Sequence, residues 1–385
     1  MFQKLIWPFF LLIIFFRPFI SSLTYPIVSF YYNIVLVIIS GAYLISEQRK
    51  TNFSVNDLPL TTFIFAVIFS NIFSIEHLVS LNVTLDFIIF ILIFLLVRAQ
   101  DEKKKRQLIF TIIFASILIC LYALYQYSFG FEHALNLIQG FKISYPYAQY
   151  ILTKKRVLGP FFSADMLASY LSLIIPVVIA FLLSQKNKIL SIIYYLISTV
   201  LLLVSLFLAQ SFGTILSLFL GLLLFYFLSK PLRKKLTWPL LVIFIFGLSV
   251  VFLRWNQFSE PISPHNPFLK RMTYWKQSLE ILKLHPIVGI GLGNFEIPRS
   301  FFAHNSYLQL WIETGILGFL SFLWFILDYL WQALKRIRKN PQNYFLTAAF
   351  VSIIVFLIHN ILDFSFFIPE VALTWWVILG VLSKN

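Results

Sequence analysis

The sequence predicts an all-α polytopic membrane protein, and its composition and its pattern of apolar runs both point to that class. Of the 385 residues, 60% are hydrophobic and 19% aromatic, while only 12% are charged. A soluble domain carries about 25% charged residues, so the charge present is too little to cover a water-facing surface. The single cysteine, Cys120, excludes an intramolecular disulfide framework, a CxxC redox motif and a thiolate metal cage.

Apolar runs near the roughly 20-residue length of a membrane-spanning helix predict about 12 transmembrane helices in a single integral membrane domain, residues 1–385. Their ends fall at proline, glycine or charged clusters, as helix ends commonly do. The predicted spans are 4–20, 27–46, 60–76, 79–98, 107–129, 163–184, 188–209, 212–229, 236–253, 306–331, 343–361 and 367–383. Two long loops are left, at about 130–162 and 254–305, and the larger loop lies between helices 9 and 10.

The basic residues orient these helices. Placing Lys4 in the cytoplasm and alternating puts 19 of the 30 Lys and Arg residues on the cytoplasmic side, in the N-terminal tip, the short inside loops and the C-terminal tail. This bias predicts a multi-pass protein of the cytoplasmic (inner) membrane with both termini cytoplasmic and both long loops extracytoplasmic. The net charge of +15 is therefore interpreted as an orientation signal within the lipid bilayer, and no nucleic-acid partner is expected.

The larger loop contains an amphipathic segment and a glycine-rich turn. From Pro267 to Leu284, apolar residues recur at helical spacing and the opposite face is basic, which predicts a helix lying in the membrane interface. Gly289, Gly291 and Gly293 follow in a turn whose backbone amides could approach an anion.

His304 stands just before predicted helix 10. Ser306 and Gln309 have the spacing of a capping box, which would place His304 two residues before the first helical turn. The positive end of the helix dipole disfavours imidazolium there, so His304 is expected to be neutral, as a general base must be. Taken singly, a boundary histidine is more often an interfacial anchor. Arg17 and Arg254, at predicted outer helix ends, are interpreted as snorkelling anchors.

Four sequence blocks, taken together, carry a resemblance. They are His304-Asn305-Ser306-Tyr307-Leu308 with Glu313-Thr314-Gly315 and Gly318; Arg271 with Tyr274-Trp275 and the run 286–295; Arg156-Val-Leu-Gly159-Pro-Phe161; and His359-Asn360 with Asp363. In this combination the chain resembles the bacterial O-antigen ligase and O-antigen polymerase family, with the similar region at about 150–385. Two positions depart from the family pattern. Phe212 stands where an arginine is frequent, and Asp165 stands where an asparagine is usual.

The resemblance implies a metal-independent glycosyltransferase of the GT-C type without a cofactor. Such an enzyme would move a glycan from an undecaprenyl-diphosphate carrier to an acceptor hydroxyl of lipid A core or of another glycan, lipid or protein. His304 would act as the general base, while Arg271, Arg156 and Lys270 would bind the donor diphosphate, because forked guanidinium donors fit phosphate oxygens. The possible supporting residues are Glu313, Asn305, His359 and Asp363.

Three functions remain open. A ligase would move a finished glycan to its acceptor, whereas a polymerase would join repeat units on the carrier lipid. The predicted 12 helices and the single dominant loop before helix 10 favour the ligase. From another class, a lipid-linked glycan flippase or transporter would need a polar central cavity, and acids near mid-membrane are few, with Asp86 the clearest.

Overall fold

The computed structural model describes residues 2–47, 57–140, 152–185, 188–255, 266–298 and 300–383. Within them it is 83% helical and has no strands. The helices in chain order are α1 (Phe2–Phe16), α2 (Pro26–Glu47), α3 (Leu58–Ser70), α4 (His77–Arg98), α5 (Glu102–Tyr125), α6 (Phe131–Gly140), α7 (Ala164–Ser184), α8 (Ile189–Ala209), α9 (Phe212–Leu228), α10 (Arg233–Leu253), α11 (Pro267–Leu284), α12 (Ser306–Lys339), α13 (Tyr344–His359) and α14 (Pro369–Leu382).

The predicted apolar spans correspond to apolar helices at nearly the same positions. In the described ranges, seven helices are long and apolar enough to cross a membrane, and five further apolar helices are shorter. An all-helical, multi-pass membrane protein is therefore confirmed. The count of 12 crossings, the single domain, the placement of the loops and the orientation of the termini stay predictions.

The core lies around α14, in which every residue from Pro369 to Leu382 is buried. α14 packs against α4 and α13, and α13 in turn packs against α7 and α9. At the end of the bundle away from His304, Lys105 donates a hydrogen bond to the carbonyl of Ser383, 2.9 Å away, just beyond α14. A cation in this position stabilises the negative end of a helix.

A buried ion pair joins the other end of α14 to the residues after α1. The side chains of Arg17 and Glu370 are only 2% and 0% exposed, and their charged atoms lie 3.8 Å apart. Arg17 also donates to Ile20 O and Ser29 Oγ. The interpretation of Arg17 as a snorkelling anchor is wrong, because its partners lie inside the protein rather than among lipid headgroups.

α12 is broken at Gly315, where the backbone adopts φ 68° and ψ −177°. A Cβ at this position would lie 2.0 Å from the carbonyl oxygen of Ile287, so only glycine fits here. The segment that follows α11 crosses the break. Three hydrogen bonds hold it: Ile316 N–H to Pro286 O, Ile290 N–H to Ile312 O and Gly291 N–H to Glu313 O, at 2.9–3.1 Å. These bonds replace the backbone hydrogen bonds that an unbroken helix would form between each N–H and the carbonyl four residues earlier.

Candidate active site

The loop of residues 360–365, between α13 and α14, connects the parts of the site. Ser306, the first residue of α12, donates its backbone N–H to Asn360 O (2.9 Å) and its hydroxyl to Asn360 Oδ1 (2.7 Å). Arg271 of α11 donates its Nε–H to Leu362 O at 2.9 Å. The loop therefore fixes both the start of α12 and the guanidinium of Arg271.

His304 is held by aromatic side chains from α11 and from this loop. Its ring stacks on Tyr274, with centroids 5.3 Å apart and planes at 21°, and meets Phe364 edge-on at 4.7 Å. Trp275 Nε1 donates to the carbonyl of His304 at 3.4 Å. The backbone of His304 has φ 52°, a left-handed conformation that costs about 1–2 kcal/mol. The surrounding contacts therefore fix the imidazole in a conformation that the free chain disfavours.

The electrostatic surroundings of His304 favour its neutral form. Its pKa is lowered from the ordinary 6.5, first by burial and then by the positive charges of Arg271 and Lys270, against the opposing charges of Asp363 and Asp165. The direction agrees with the expectation from the helix dipole, and the structure adds burial as the main cause. A neutral imidazole can accept a proton, as a general base must.

The cap of α12 is Asn305, so the predicted capping box of Ser306 and Gln309 is wrong. Asn305 Oδ1 accepts hydrogen bonds from the backbone N–H groups of Tyr307 and Leu308, both at 3.0 Å. Ser306 cannot serve as the cap because its hydroxyl is bonded to the 360–365 loop. His304 nevertheless lies two residues before the first helical residue, as predicted.

Glu313 reaches His304 only through intermediate groups. Its carboxylate accepts from Gln309 Nε2 at 2.9 Å, and Gln309 Oε1 accepts the N–H of Ala303 at 3.1 Å, next to His304 in the chain. The other carboxylate oxygen of Glu313 accepts the N–H of Gly293 at 3.0 Å.

The glycine-rich turn is bonded to Glu313 of α12. The amides of Gly291 and Gly293 donate to the backbone and the side chain of Glu313, respectively. The expectation that these amides approach an anion holds only for Gly293, whose partner is the protein's own Glu313 carboxyl group, and tertiary contacts with the break in α12 leave neither amide to a ligand.

Arg156 lies in the same region, in the segment that precedes α7. Its Nε–H donates to Ala209 O at 2.9 Å, and its Nη2 forms an ion pair with Asp165 Oδ1 at 3.0 Å. Both side chains are partly open to solvent, at 21% and 35% exposure. Lys270 is exposed beside Arg271 and contributes to the positive charge around His304.

His359 and Asp363 form a buried pair at the base of the site. His359 Nε2 and Asp363 Oδ2 lie 3.0 Å apart, and each side chain is 3% exposed. Burial would raise the pKa of Asp363, but His359 and the hydroxyl of Ser365 lower it, and the net shift is downward. The carboxylate therefore stays ionised where it fixes the 360–365 loop.

Residues 197–323 match the family model described as O-antigen ligase. The resemblance to the O-antigen ligase and polymerase family is thereby confirmed. The matched stretch contains Arg271 and His304, whereas Arg156, His359 and Asp363 lie outside it. No curated protein matches the chain.

Phe212 and Asp165, the two positions that depart from the O-antigen ligase pattern, lie close to one another in space. Phe212 opens α9 after a left-handed turn at Gln210, whose φ is 51°. Arg254, just beyond α10, donates its Nη1–H to the carbonyl of Gln210 at 3.0 Å, and its charge acts on Asp165. The interpretation of Arg254 as a lipid-facing anchor is therefore wrong. No motif marks it, because its place in the site depends on how α10 packs against α9.

Proposed function

We propose that the chain is an O-antigen ligase-type glycosyltransferase that moves a glycan from an undecaprenyl-diphosphate carrier to an acceptor hydroxyl. The observation that carries the proposal is the neutral, aromatic-clamped His304 beside Arg271. A proton acceptor next to a fixed guanidinium suits a reaction that removes a proton at one atom and releases an anion at another. The match over residues 197–323 supports the same reaction class.

In the proposed reaction, the acceptor oxygen attacks the anomeric carbon of the carrier-bound sugar while His304 takes the hydroxyl proton. The bond between the anomeric carbon and the diphosphate oxygen breaks, and its electron pair leaves with undecaprenyl diphosphate. Attack opposite to the leaving group inverts the anomeric centre. The diphosphate leaves as an anion, so the step requires no general acid.

The cationic side chains would stabilise the charge that develops on the leaving diphosphate. Arg271 donates its Nε–H to Leu362 O at 2.9 Å and its Nη1–H to Pro267 O at 3.5 Å, and the remaining N–H donors of its two terminal nitrogens would meet phosphate oxygens as a fork. Arg156 and Lys270 would add further positive charge to the site. Glu313, Asn305, His359 and Asp363 would act by positioning: they fix the backbone at His304 and the loop that holds Arg271. The lipid-facing helices would keep the site at the membrane surface, where the carrier's diphosphate lies while its isoprenoid chain extends into the bilayer.

A ligase and a polymerase differ only in the acceptor, and a deletion strain distinguishes them. We would measure the size distribution of glycans on the carrier and on the acceptor after complementation with the wild type. In the deletion strain, long chains stranded on the carrier would indicate a ligase, whereas single repeat units alone would indicate a polymerase. We expect the ligase pattern at the outer face of the cytoplasmic membrane.

His304→Ala is the variant that tests the catalytic assignment in this strain. We expect it to insert into the membrane and leave the glycan defect uncorrected. The exposed His285, at the end of α11, supplies the matched control, and His285→Ala should restore the wild-type pattern. A His304→Ala protein that also restored it would exclude this chemistry and favour a flippase or transporter.

A further inference from the structure

The segment 156–163, which leads into α7, forms neither helix nor strand. It carries Arg156, and within it the side chains of Val157 and Phe161 are buried. Buried backbone N–H and C=O groups need hydrogen-bond partners, and an irregular segment finds most of them elsewhere in the protein. Those partners determine where the segment lies, and they therefore determine where Arg156 begins.

One partner is the side-chain amide of Gln126, at the end of α5. Gln126 Oε1 accepts the N–H groups of Leu158 and Gly159 at 3.2 and 2.8 Å, and its Nε2 donates to the carbonyl of Gly159 at 3.0 Å. Gln126 also opens a π-helical turn, Gln126–Gly130, a geometry that is frequent at functional sites. Because an amide has both an acceptor oxygen and donor hydrogens, this one side chain satisfies three backbone groups of the segment.

A second set of contacts holds the segment to the turn between α8 and α9. Val157 donates its N–H to Leu208 O at 3.2 Å, and Arg156 donates its Nε–H to Ala209 O at 2.9 Å. The backbone beside Arg156 is therefore fixed both by α5 and by this turn. Replacing Gln126 removes only the first of these attachments, so its contribution can be measured separately.

We propose that Gln126 is a positioning residue for the donor diphosphate: it fixes Leu158 and Gly159 and thereby holds Arg156 where its guanidinium meets phosphate oxygens. The inference rests on the proposed function. Binding of phosphate by the forked donors of a guanidinium depends on orientation, so a displaced backbone weakens it. Gln126 lies outside the matched stretch 197–323 and extends the site to α5, a helix that carries none of the four sequence blocks.

The test replaces Gln126 by methionine, which has a similar length but no amide. Binding of undecaprenyl diphosphate to the purified full-length chain in lipid nanodiscs is measured together with kcat and the donor KM for transfer. We expect Gln126→Met to bind about tenfold more weakly. Because the diphosphate is charged before transfer begins, the KM should rise about tenfold while kcat falls less than about threefold. A partly misfolded protein would show the reverse, a lower kcat with an unchanged KM.

A double-mutant cycle tests whether Gln126 acts through Arg156. Arg156→Gln removes the guanidinium, so adding Gln126→Met to it should weaken binding by less than about twofold. Gln107→Met is the matched control: Gln107 lies near the other end of α5, and its amide oxygen likewise accepts a bond from a distant segment, from Trp7 Nε1–H at 2.8 Å. This control should bind within about twofold of its parent protein in either background.

Two results would overturn the inference: a Gln126→Met protein that binds like Gln107→Met, or an equal loss of affinity from Gln126→Met with and without Arg156. If the wild type binds undecaprenyl diphosphate and Arg271→Gln weakens that binding, either result removes this inference alone. A wild-type chain that does not bind undecaprenyl diphosphate would remove the proposed function as well.

Discussion

Replacing Arg271 by lysine tests whether a fixed fork of donors, rather than positive charge alone, is needed at this position. The half-buried guanidinium donates its Nε–H to Leu362 O at 2.9 Å. Lysine has a single ammonium group at the end of a flexible chain. It can therefore bond to the loop or extend towards the diphosphate, but it cannot do both.

The expected fall in kcat/KM follows from the loss of one of these two interactions. A hydrogen bond that involves a charged group contributes about 1.5–3 kcal/mol. If the variant forfeits one such bond in the transition state, and each 1.36 kcal/mol is worth about a factor of ten, kcat/KM falls about 10- to 150-fold. The net charge of the site is unchanged, so screening by salt should affect both proteins alike.

The assay is transfer from a defined undecaprenyl-diphosphate-linked glycan by protein reconstituted in nanodiscs. Lys283→Arg is the control, because it is also a charge-preserving exchange on α11 and its exposed side chain pairs with the exposed Glu280. Thermal unfolding of each protein would establish that the fold is retained. An Arg271→Lys enzyme that kept half or more of the wild-type kcat/KM would refute the reasoning, since charge alone would then suffice.

Three further predictions concern residues that position the site. Asn305→Ala should lower the free energy of unfolding by about 1 kcal/mol, because two capping bonds are lost. Asn305→Asp should retain most of the wild-type stability, since its carboxylate can accept the same bonds; chemical denaturation measures both. Gly315→Ala should cost at least about 2 kcal/mol, since it meets both a positive φ and a 2.0 Å contact; Gly41→Ala, with open space around it, is the thermal-melting control. Arg17→Met should cost about 3–5 kcal/mol by leaving Glu370 buried without its partner, and adding Glu370→Gln should restore stability; a double variant as unstable as the single one would contradict the pairing.

The helices could be predicted because their signals are local. Pro267 and Leu284 bound α11 both in the sequence pattern and in the structure, and apolar runs of membrane-spanning length mark the other helices. Residues of one block, such as Asn305 and Ser306, lie together in the site for the same reason. These residues lie beside the start of α12 because they directly adjoin it in the sequence.

What the sequence could not show depends on contacts between distant segments. Ser306 has the sequence of a cap, but its hydroxyl is bonded to a loop more than 50 residues away, and Asn305 caps the helix instead. Arg17 resembles a boundary anchor until Glu370 is seen beside it. Arg254 carries no motif, and only the packing of α10 against α9 brings it to the turn at Gln210.

The most direct test of the central claim is the pH dependence of transfer by the wild type and by His304→Ala. Burial and the charge of Arg271 lower the pKa of His304, so the base is neutral above that pKa and protonated below it. The wild-type rate should therefore be full at neutral pH and fall only as the pH drops through a value below 6.5. His304→Ala should bind the donor normally, transfer about 10²- to 10⁴-fold more slowly and lack this acidic limb. A variant that kept both the rate and the acidic limb would contradict the assignment of His304 as the base.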